Sequence, residues 1–365
     1  MRICLLTVEI FAWGAFGGFG SLTRLIGKKL VERGHEVFAI VPRRKDQKPI
    51  ENLDGIMVYS FKKNNWFDAK YLSKKINADI YHSEEPSVST VMAQYGAPDK
   101  KHIVTFQDPR NLLDYWIEFK NYSVKHKLFF PCSFLFERNI FITRAVQKCS
   151  KTFVQANFIS EKVKRMYRLN EMPEFLPNPV ERPNVPIVKA ENPTVCFLAR
   201  LDRRKRPEIF LDLAAKFKNV DFFCLGASSD KVWDTYLRDK YRDIPNITMM
   251  GFVNPFNNET RNAILSKSWI LINTAERECL PVSFLEAAIY KCAILSNNNP
   301  DNFAIRGGYH AHNDNFEIGL QWLLENDRWT DLGNAGAEYV EQNHVLDKAI
   351  DKHIESYNRV LERDT

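Results

Sequence analysis

Glu278 and Glu286 stand eight residues apart in the stretch INTAERECLPVSFLEAAIYKCAILS, residues 272–296. An ionised carboxylate only accepts hydrogen bonds, so two of them in one stretch suit a ligand rich in donors, such as a polyhydroxylated one. Earlier in the chain VCFLARLDRRKRPEIFL, residues 195–211, carries Arg200 and, five residues on, Lys205 in a strongly basic segment. Taken alone, the acidic stretch reads equally as a surface loop followed by a half-exposed helix.

The elements that would position these side chains follow from the apolar pattern. Ile270 and Leu271 end a short buried strand, and Pro281 marks the turn into a helix with Phe284, Leu285, Ala288 and Ile289 on its inner face. Glu278 then lies in a loop at the carboxyl end of a strand, where ligands of parallel sheets bind, and Glu286 on the helix. Residues 195–211 read as a buried strand, a basic turn and a helix start. At the amino terminus RICLLTVEI reads as a strand, AWGAFGGFGS as a glycine loop with Gly14, Gly17, Gly18 and Gly20, and Leu22, Leu25, Ile26 and Leu30 as a helix that Gly34 stops. EVFAIV (36–41) completes a β-α-β unit. Glycines let backbone approach a ligand, and a helix start attracts anions. Thr23 at the third glycine position and the lack of an acidic residue after the second strand speak against a nicotinamide site.

Arg200 with Lys205 resembles the R-x4-K pair of retaining family 4 glycosyltransferases, and Glu278 with Glu286 resembles their Glu-x7-Glu signature. GGFG (17–20), PNPV (177–180) and GFV (251–253) are similar to further landmarks of that family, in the same order, so the resemblance spans nearly the whole chain. It implies a GT-B fold of class α/β, with two Rossmann-like doubly wound domains facing across a cleft and a C-terminal helix crossing back to the first. The expected division is 1–182 as an acceptor-side domain, 183–345 as the nucleotide-sugar-binding domain, and 346–365 as the returning helix.

The resemblance also implies roles. Arg200 and Lys205 would hold the donor diphosphate as catalytic residues together with Glu278, which would bind hydroxyls of the transferred sugar. Glu286 would accept from the donor ribose. Backbone N–H groups of Gly17, Gly18 and Gly20, with the turn of Cys279, Leu280 and Val282, would complete the phosphate cradle of the substrate. Gln107 and Asp108, in HIVTFQDP (102–109), would face the donor sugar, although many relatives have His where this chain has Gln107. Pro281 replaces a frequent Gly and removes one backbone donor. The expected reaction moves a hexose-like sugar from a UDP- or GDP-sugar to a hydroxyl acceptor, glycan or lipid-linked. No cofactor and no metal are expected, since no D-x-D motif occurs. A sugar-nucleotide epimerase or phosphorylase, or a non-catalytic sugar-nucleotide-binding protein, would share the same features.

The rest of the chain bounds these readings. Its 365 residues suit about two domains. Strand-helix alternation recurs, the Pro- and Asn-rich FLPNPVERPNVP (175–186) marks a linker, and the tail VLDKAIDKHIESYNRVLERD has the helical period. His82, ending ADIYH, reads as a structural strand-end residue. SNNNPDNF (296–303) reads as a strand-end loop that lines the site or simply turns the chain. Seven scattered cysteines without a C-x-x-C pair read as reduced thiols of a cytoplasmic protein. Glu9 interrupts the opening apolar run, against a signal peptide, and no run reaches the ~20 apolar residues of a spanning helix.

Residues 1–180 hold 28 Lys+Arg against 18 Asp+Glu, a balance of +10, and the remainder 23 against 27, a balance of −4. A basic half suits an anionic partner, whether a membrane surface at the inner face, an anionic acceptor or nucleic acid, and reads equally as a solvated lysine-rich surface. The aromatic-basic stretch 110–148, with LFFPCSFLF at 128–136, reads as core, an acceptor site or an interfacial anchor. It has no accompanying nucleic-acid motif, and no nucleic-acid partner is expected.

Overall fold

Two largely apolar runs, Arg2–Leu6 (β1) and Thr194–Leu198 (β9), lie inside two different sheets. The computed structural model describes residues 1–14, 17–121, 134, 137, 139–254, 256 and 259–362. Apart from Phe134, the segment LFFPCSFLF lies outside the described residues.

The first sheet contains β1, Glu36–Pro42 (β2), Ile50–Leu53 (β3), Ile56–Phe61 (β4), Ile80–Ser83 (β5), Lys101–Phe106 (β6), Lys151–Val154 (β7) and Glu174–Phe175 (β8), in the order β3-β4-β2-β1-β5-β6-β7-β8. Its pairings are parallel except β3 with β4. That antiparallel edge does not follow from the apolar runs, yet its turn carries the signature of a two-residue hairpin: Asp54 at φ +53° and Gly55 at φ +87°. Cys4, Leu6, Phe38, Ile40 and Tyr81 pack on one face against Ala69, Ile76 and Ala93. On the other, Gly27 of helix Gly18–Glu32 approaches Leu5 and Ile56 so closely that a Cβ there would clash. Helices on both faces explain why these strands read as continuous apolar runs instead of alternating ones.

The second sheet contains β9, Asp221–Leu225 (β10), Ile247–Gly251 (β11), Ile270–Asn273 (β12), Ala293–Ser296 (β13) and Gly308–His310 (β14), in the order β11-β10-β9-β12-β13-β14, all parallel. Val195, Phe197, Phe222, Ile270, Ile272 and Leu295 share a core with Phe210, Trp233, Phe316 and Leu320. Burying each Val- or Leu-sized side chain in it contributes about 1.5–3 kcal/mol. The strand order matters most for chemistry: β9 and β12 are neighbours, so the loops that follow them open side by side.

The chain divides into two compact units, Met1–Tyr115 with Tyr122–Pro179 and Asp347–Thr365, and Val180–Leu346 with Trp116–Asn121. Each is a Rossmann-like α/β layer structure. The last helix, Leu346–Glu362, buries Ala349, Ile350, His353, Tyr357 and Val360. Its apolar face docks beside β5 and β8, where His82 Nδ1 lies 2.8 Å from the Tyr357 hydroxyl and Arg359 lies 3.2 Å from Glu174. Among the described residues no helix is long and apolar enough to cross a membrane.

Candidate functional site

The turn after β9 is built to present Lys205. Residues Arg203–Lys205 form a single helical turn, Arg206 takes a left-handed backbone (φ +48°), and Pro207 opens the helix Pro207–Lys216. Proline suits this first helical position because its missing N–H would have no partner there. Arg206 then fastens the turn to the neighbouring strand end: its Nε donates to the Thr274 carbonyl at 2.6 Å, and its guanidinium pairs with Asp314 at 2.6 and 2.9 Å. The Thr274 hydroxyl returns a bond to the Lys205 carbonyl at 2.7 Å.

This fastening brings Lys205 onto Glu278. The ammonium donates to Glu278 Oε1, with the two side chains only 14% and 11% exposed. Burial pulls the Lys205 ammonium below its usual range, the Glu278 charge opposes this, and the charges of Arg204 and Arg200 add to the lowering. Asn273 Nδ2 lies 3.5 Å from the same Oε1. Two protons of the ammonium and Glu278 Oε2 have no partner among the described residues. The loop carrying Glu278 is fixed from several sides: its backbone N–H donates to Asn298 Oδ1 at 3.0 Å, Asn298 Nδ2 donates to Ala275 O at 2.7 Å, and the Glu276 N–H donates to Arg204 O at 2.9 Å. From the segment Trp116–Asn121, Asn121 Nδ2 donates to Glu276 at 2.7 Å and Glu118 pairs with Arg277 at 3.3 Å, with Glu118 and Arg277 both buried.

The other expected residues of this unit behave differently. Arg200 is 61% exposed and its partner is Asp202 at 3.2 Å, so its charge reaches Lys205 while its side chain stands apart from the Lys205–Glu278 pair. Glu286 is held by Arg261, Nη1 to Oε1 at 2.5 Å, with both side chains largely covered. Cys279 and Leu280 are buried, and Val282 begins the helix Val282–Ile289 after Pro281 in an extended conformation. Helix starts leave several backbone N–H groups without intrahelical partners, which suits an anion.

In the first unit the glycine loop serves the chain's own carboxylate. Glu9 Oε1 accepts from the Gly20 N–H at 3.2 Å, and a Cβ on Gly17 would fall 2.1 Å from that oxygen. Gly17 caps the helix Gly18–Glu32, and around Gly18 there is open space. A phosphate at this helix start would meet the Glu9 charge, a feature the glycine spacing alone does not reveal. Gln107 is buried, with its amide bonded to Asn178 (3.1 and 2.8 Å) and Glu84 (3.4 Å). A sugar hydroxyl would therefore exchange with one of these partners. The backbone N–H groups of Gln107 and Asp108 donate to Glu85 Oε2 at 2.7 and 2.9 Å. Burial pushes both Glu84 and Glu85 up to about 7. His82 is buried between Tyr357 and Thr105, and desolvation holds it well below the usual imidazole range, which fits a structural strand-end residue.

Arg261, Asn298, Glu9 and Glu118 are the participants that spacing does not single out. Two of them carry a signal: Asn298 lies in the polar loop after β13, and Glu9 is the acid that interrupts the opening apolar run. The six described cysteines are free.

No family model matches the chain, and no curated protein matches it in sequence. Solved structures do resemble it along its whole length. Sucrose-phosphate synthase from Thermosynechococcus elongatus superposes with a TM-score of 0.74 at 13% identity, over 99% of both chains. A glycosyltransferase from Rickettsia africae gives 0.69 at 16%, over 99% of both chains. HepE from Anabaena, in complex with UDP and glucose, gives 0.70 at 11%, over 98% of this chain and 99% of its own. At such identities the likeness is one of fold, and the fold is GT-B.

Proposed function

We propose that the chain is a glycosyltransferase that moves a hexose-like sugar from a nucleotide-sugar donor to a hydroxyl acceptor, with retention at the anomeric carbon. The observation that carries this reading is the Lys205–Glu278 pair. Two ammonium protons and one carboxylate oxygen stay uncommitted side by side among the described residues, at the carboxyl ends of neighbouring parallel strands. Donors for phosphate and an acceptor for hydroxyls are what a sugar diphosphate requires. The sugar-transferring neighbours, one of them holding UDP and glucose, support the same class of ligand.

Breaking the anomeric bond puts negative charge on the departing diphosphate while the sugar gains positive charge. Lys205, joined by Arg200 when the donor is bound, stabilises the first, and Glu278 holds the sugar whose charge rises. Losing one preorganised donor of this kind costs about 2.7–4 kcal/mol in the barrier. Glu286, oriented by Arg261, takes the ribose hydroxyls. In the first unit the Gly17–Gly20 loop, Gln107 and Asp108 serve the donor sugar or the acceptor. With cations supplied by the chain, turnover needs no divalent ion. The acceptor is a glycan or lipid-linked hydroxyl, and the +10 balance of residues 1–180 supports peripheral attachment to an anionic cytoplasmic membrane face.

A panel of nucleotide sugars read by thermal shift and product analysis tests the proposal. Stabilisation grows with ln(1 + [L]/Kd), so the preferred donor stands out. Transfer to an acceptor upholds the reading. Isomerisation of the donor, phosphate-dependent cleavage, or binding without turnover would replace it by an epimerase, a phosphorylase or a binding protein.

A further inference from the structure

We propose that the first unit carries a second ligand site, a pocket for a phosphate ester between the helices Val88–Gly96 and Ile140–Gln147. A cavity of about 400 Å³ opens there. Its lining includes Lys100, His102 and Ser150, which flank the amino ends of β6 and β7. Gln107, Glu84 and Glu85 follow the carboxyl ends of β6 and β5, so this pocket and those residues are at opposite ends of the same strands.

Three cations converge on the cavity, Lys100, Arg144 and Lys148, and no carboxylate among the described residues pairs with any of them. Asp99, whose charge reaches His102, is not part of the lining. One guanidinium fork with two ammonium groups matches the oxygens of a phosphate better than it matches a lone carboxylate, which offers only two. The Ser150 hydroxyl adds a further donor.

His102 is held rigidly in the lining. It is 5% exposed, its ring stacks on Tyr81 at 5.1 Å, and its Nε2 lies 2.8 Å from the Ala97 carbonyl. Nε2 must therefore carry the proton, which leaves Nδ1 as an acceptor, and Nδ1 is buried without a partner among the described residues. Beside the cations, Tyr95 and Phe141 expose their rings, 62% and 61%, over the buried Val91 and Ala145. The ligand is then a phosphate ester with an apolar portion or none: a soluble polyol phosphate or a phospholipid headgroup.

The test uses the full chain with two probes, glycerol 3-phosphate by titration calorimetry and phosphatidylglycerol vesicles by co-sedimentation against phosphatidylcholine vesicles. The double variant Arg144→Ala/Lys148→Ala, at the end of the helix Ile140–Gln147, is compared with Lys62→Ala/Lys63→Ala, which removes the same charge elsewhere in the unit. Saturable binding weakened at least tenfold by the first variant and less than twofold by the second supports the site. Binding of the soluble ester identifies a free phosphate as the source, and binding of vesicles alone identifies a headgroup. Failure of both probes, or equal weakening by both variants, overturns the proposal. Neither variant touches the Lys205–Glu278 pair, so nucleotide-sugar binding stays intact whichever way the result falls.

Discussion

Arg261 Nη1 lies 2.5 Å from Glu286 Oε1, so the helix Glu259–Lys267 supplies a cation to the second carboxylate of the acidic stretch. Under the proposed function this pair meets ribose hydroxyls, which look alike before and during transfer. Glu286→Gln and Arg261→Ala should each raise the donor KM and leave kcat within about tenfold, since uniform binding does not change the chemical step. Steady-state kinetics with varied donor decides it: a kcat collapse at saturating donor would give Glu286 another role.

Lys205 and Glu278 should behave in the opposite way. Lys205→Ala, Arg200→Ala and Glu278→Gln should lower kcat by on the order of a hundredfold or more, because the groups they touch change charge toward the transition state. Near-normal turnover in Arg200→Ala would remove that exposed residue from the reaction. The same assays run in excess chelator should retain activity. A loss restored by Mg²⁺ or Mn²⁺ would show that the cationic side chains are insufficient.

The buried pairing also makes a stability prediction. Removing one member of a buried ion pair typically costs about 3–5 kcal/mol because the remaining charge is left desolvated. Lys205→Met and Glu278→Met should each destabilise the chain toward that range, and the double variant should cost clearly less than their sum. Urea unfolding of all four proteins measures the coupling, and strict additivity would mean that the bond contributes nothing.

Glu84 links stability to pH. Its folded pKa is raised to about 7 by burial, against an ordinary value of 4.5. Between those values the folded state holds a proton that the unfolded state has released, so stability falls as pH rises from the ordinary value to about 7. His82 lies 3.8 Å from Glu84, and Tyr357 and Gln107 also face it. The buried His82 and His353 carry lowered pKa values and act with the opposite sign, losing stability as pH falls below about 6.5. Comparison with Glu84→Gln isolates the carboxyl. From pH 5 to pH 7 the wild type should lose stability relative to the variant, by roughly 2 kcal/mol in all, and the loss should level off by pH 8. A constant difference across that range would rule the linkage out.

Much of the fold was legible, because β1, β2, β9, β10 and β12 are apolar runs closed by Gly, Pro or charged turns, and their order in the chain alternates with helical periods. The hairpin β3-β4 leaves a trace in Asp54-Gly55, but weak strands such as IENL lack the apolar run that draws attention. The site was legible only as residue types. That Lys205 meets Glu278 depends on β9 and β12 being neighbours, a long-range pairing that no local pattern records. Arg261 sits on a helix without an apolar stripe, so nothing set it apart from the chain's other arginines. Glu9 was visible as the one acid in an apolar run, yet its role as a cap for Gly20 requires the chain to fold back over eleven positions.

The segment Trp116–Asn121 belongs by its packing to the second unit, although the sequence on either side of it belongs to the first. Inheritance of this protein by parts is constrained accordingly. A chimaera made by joining another protein's first unit to residues 180–346 of this chain would give up Glu118–Arg277 and Asn121–Glu276 together, and with them two of the supports of the loop that carries Glu278. Recombination that preserves these supports has to move residues 116–121 along with 180–346. The loop that carries Glu278 and a short piece of the first half of the chain therefore travel as one structural unit.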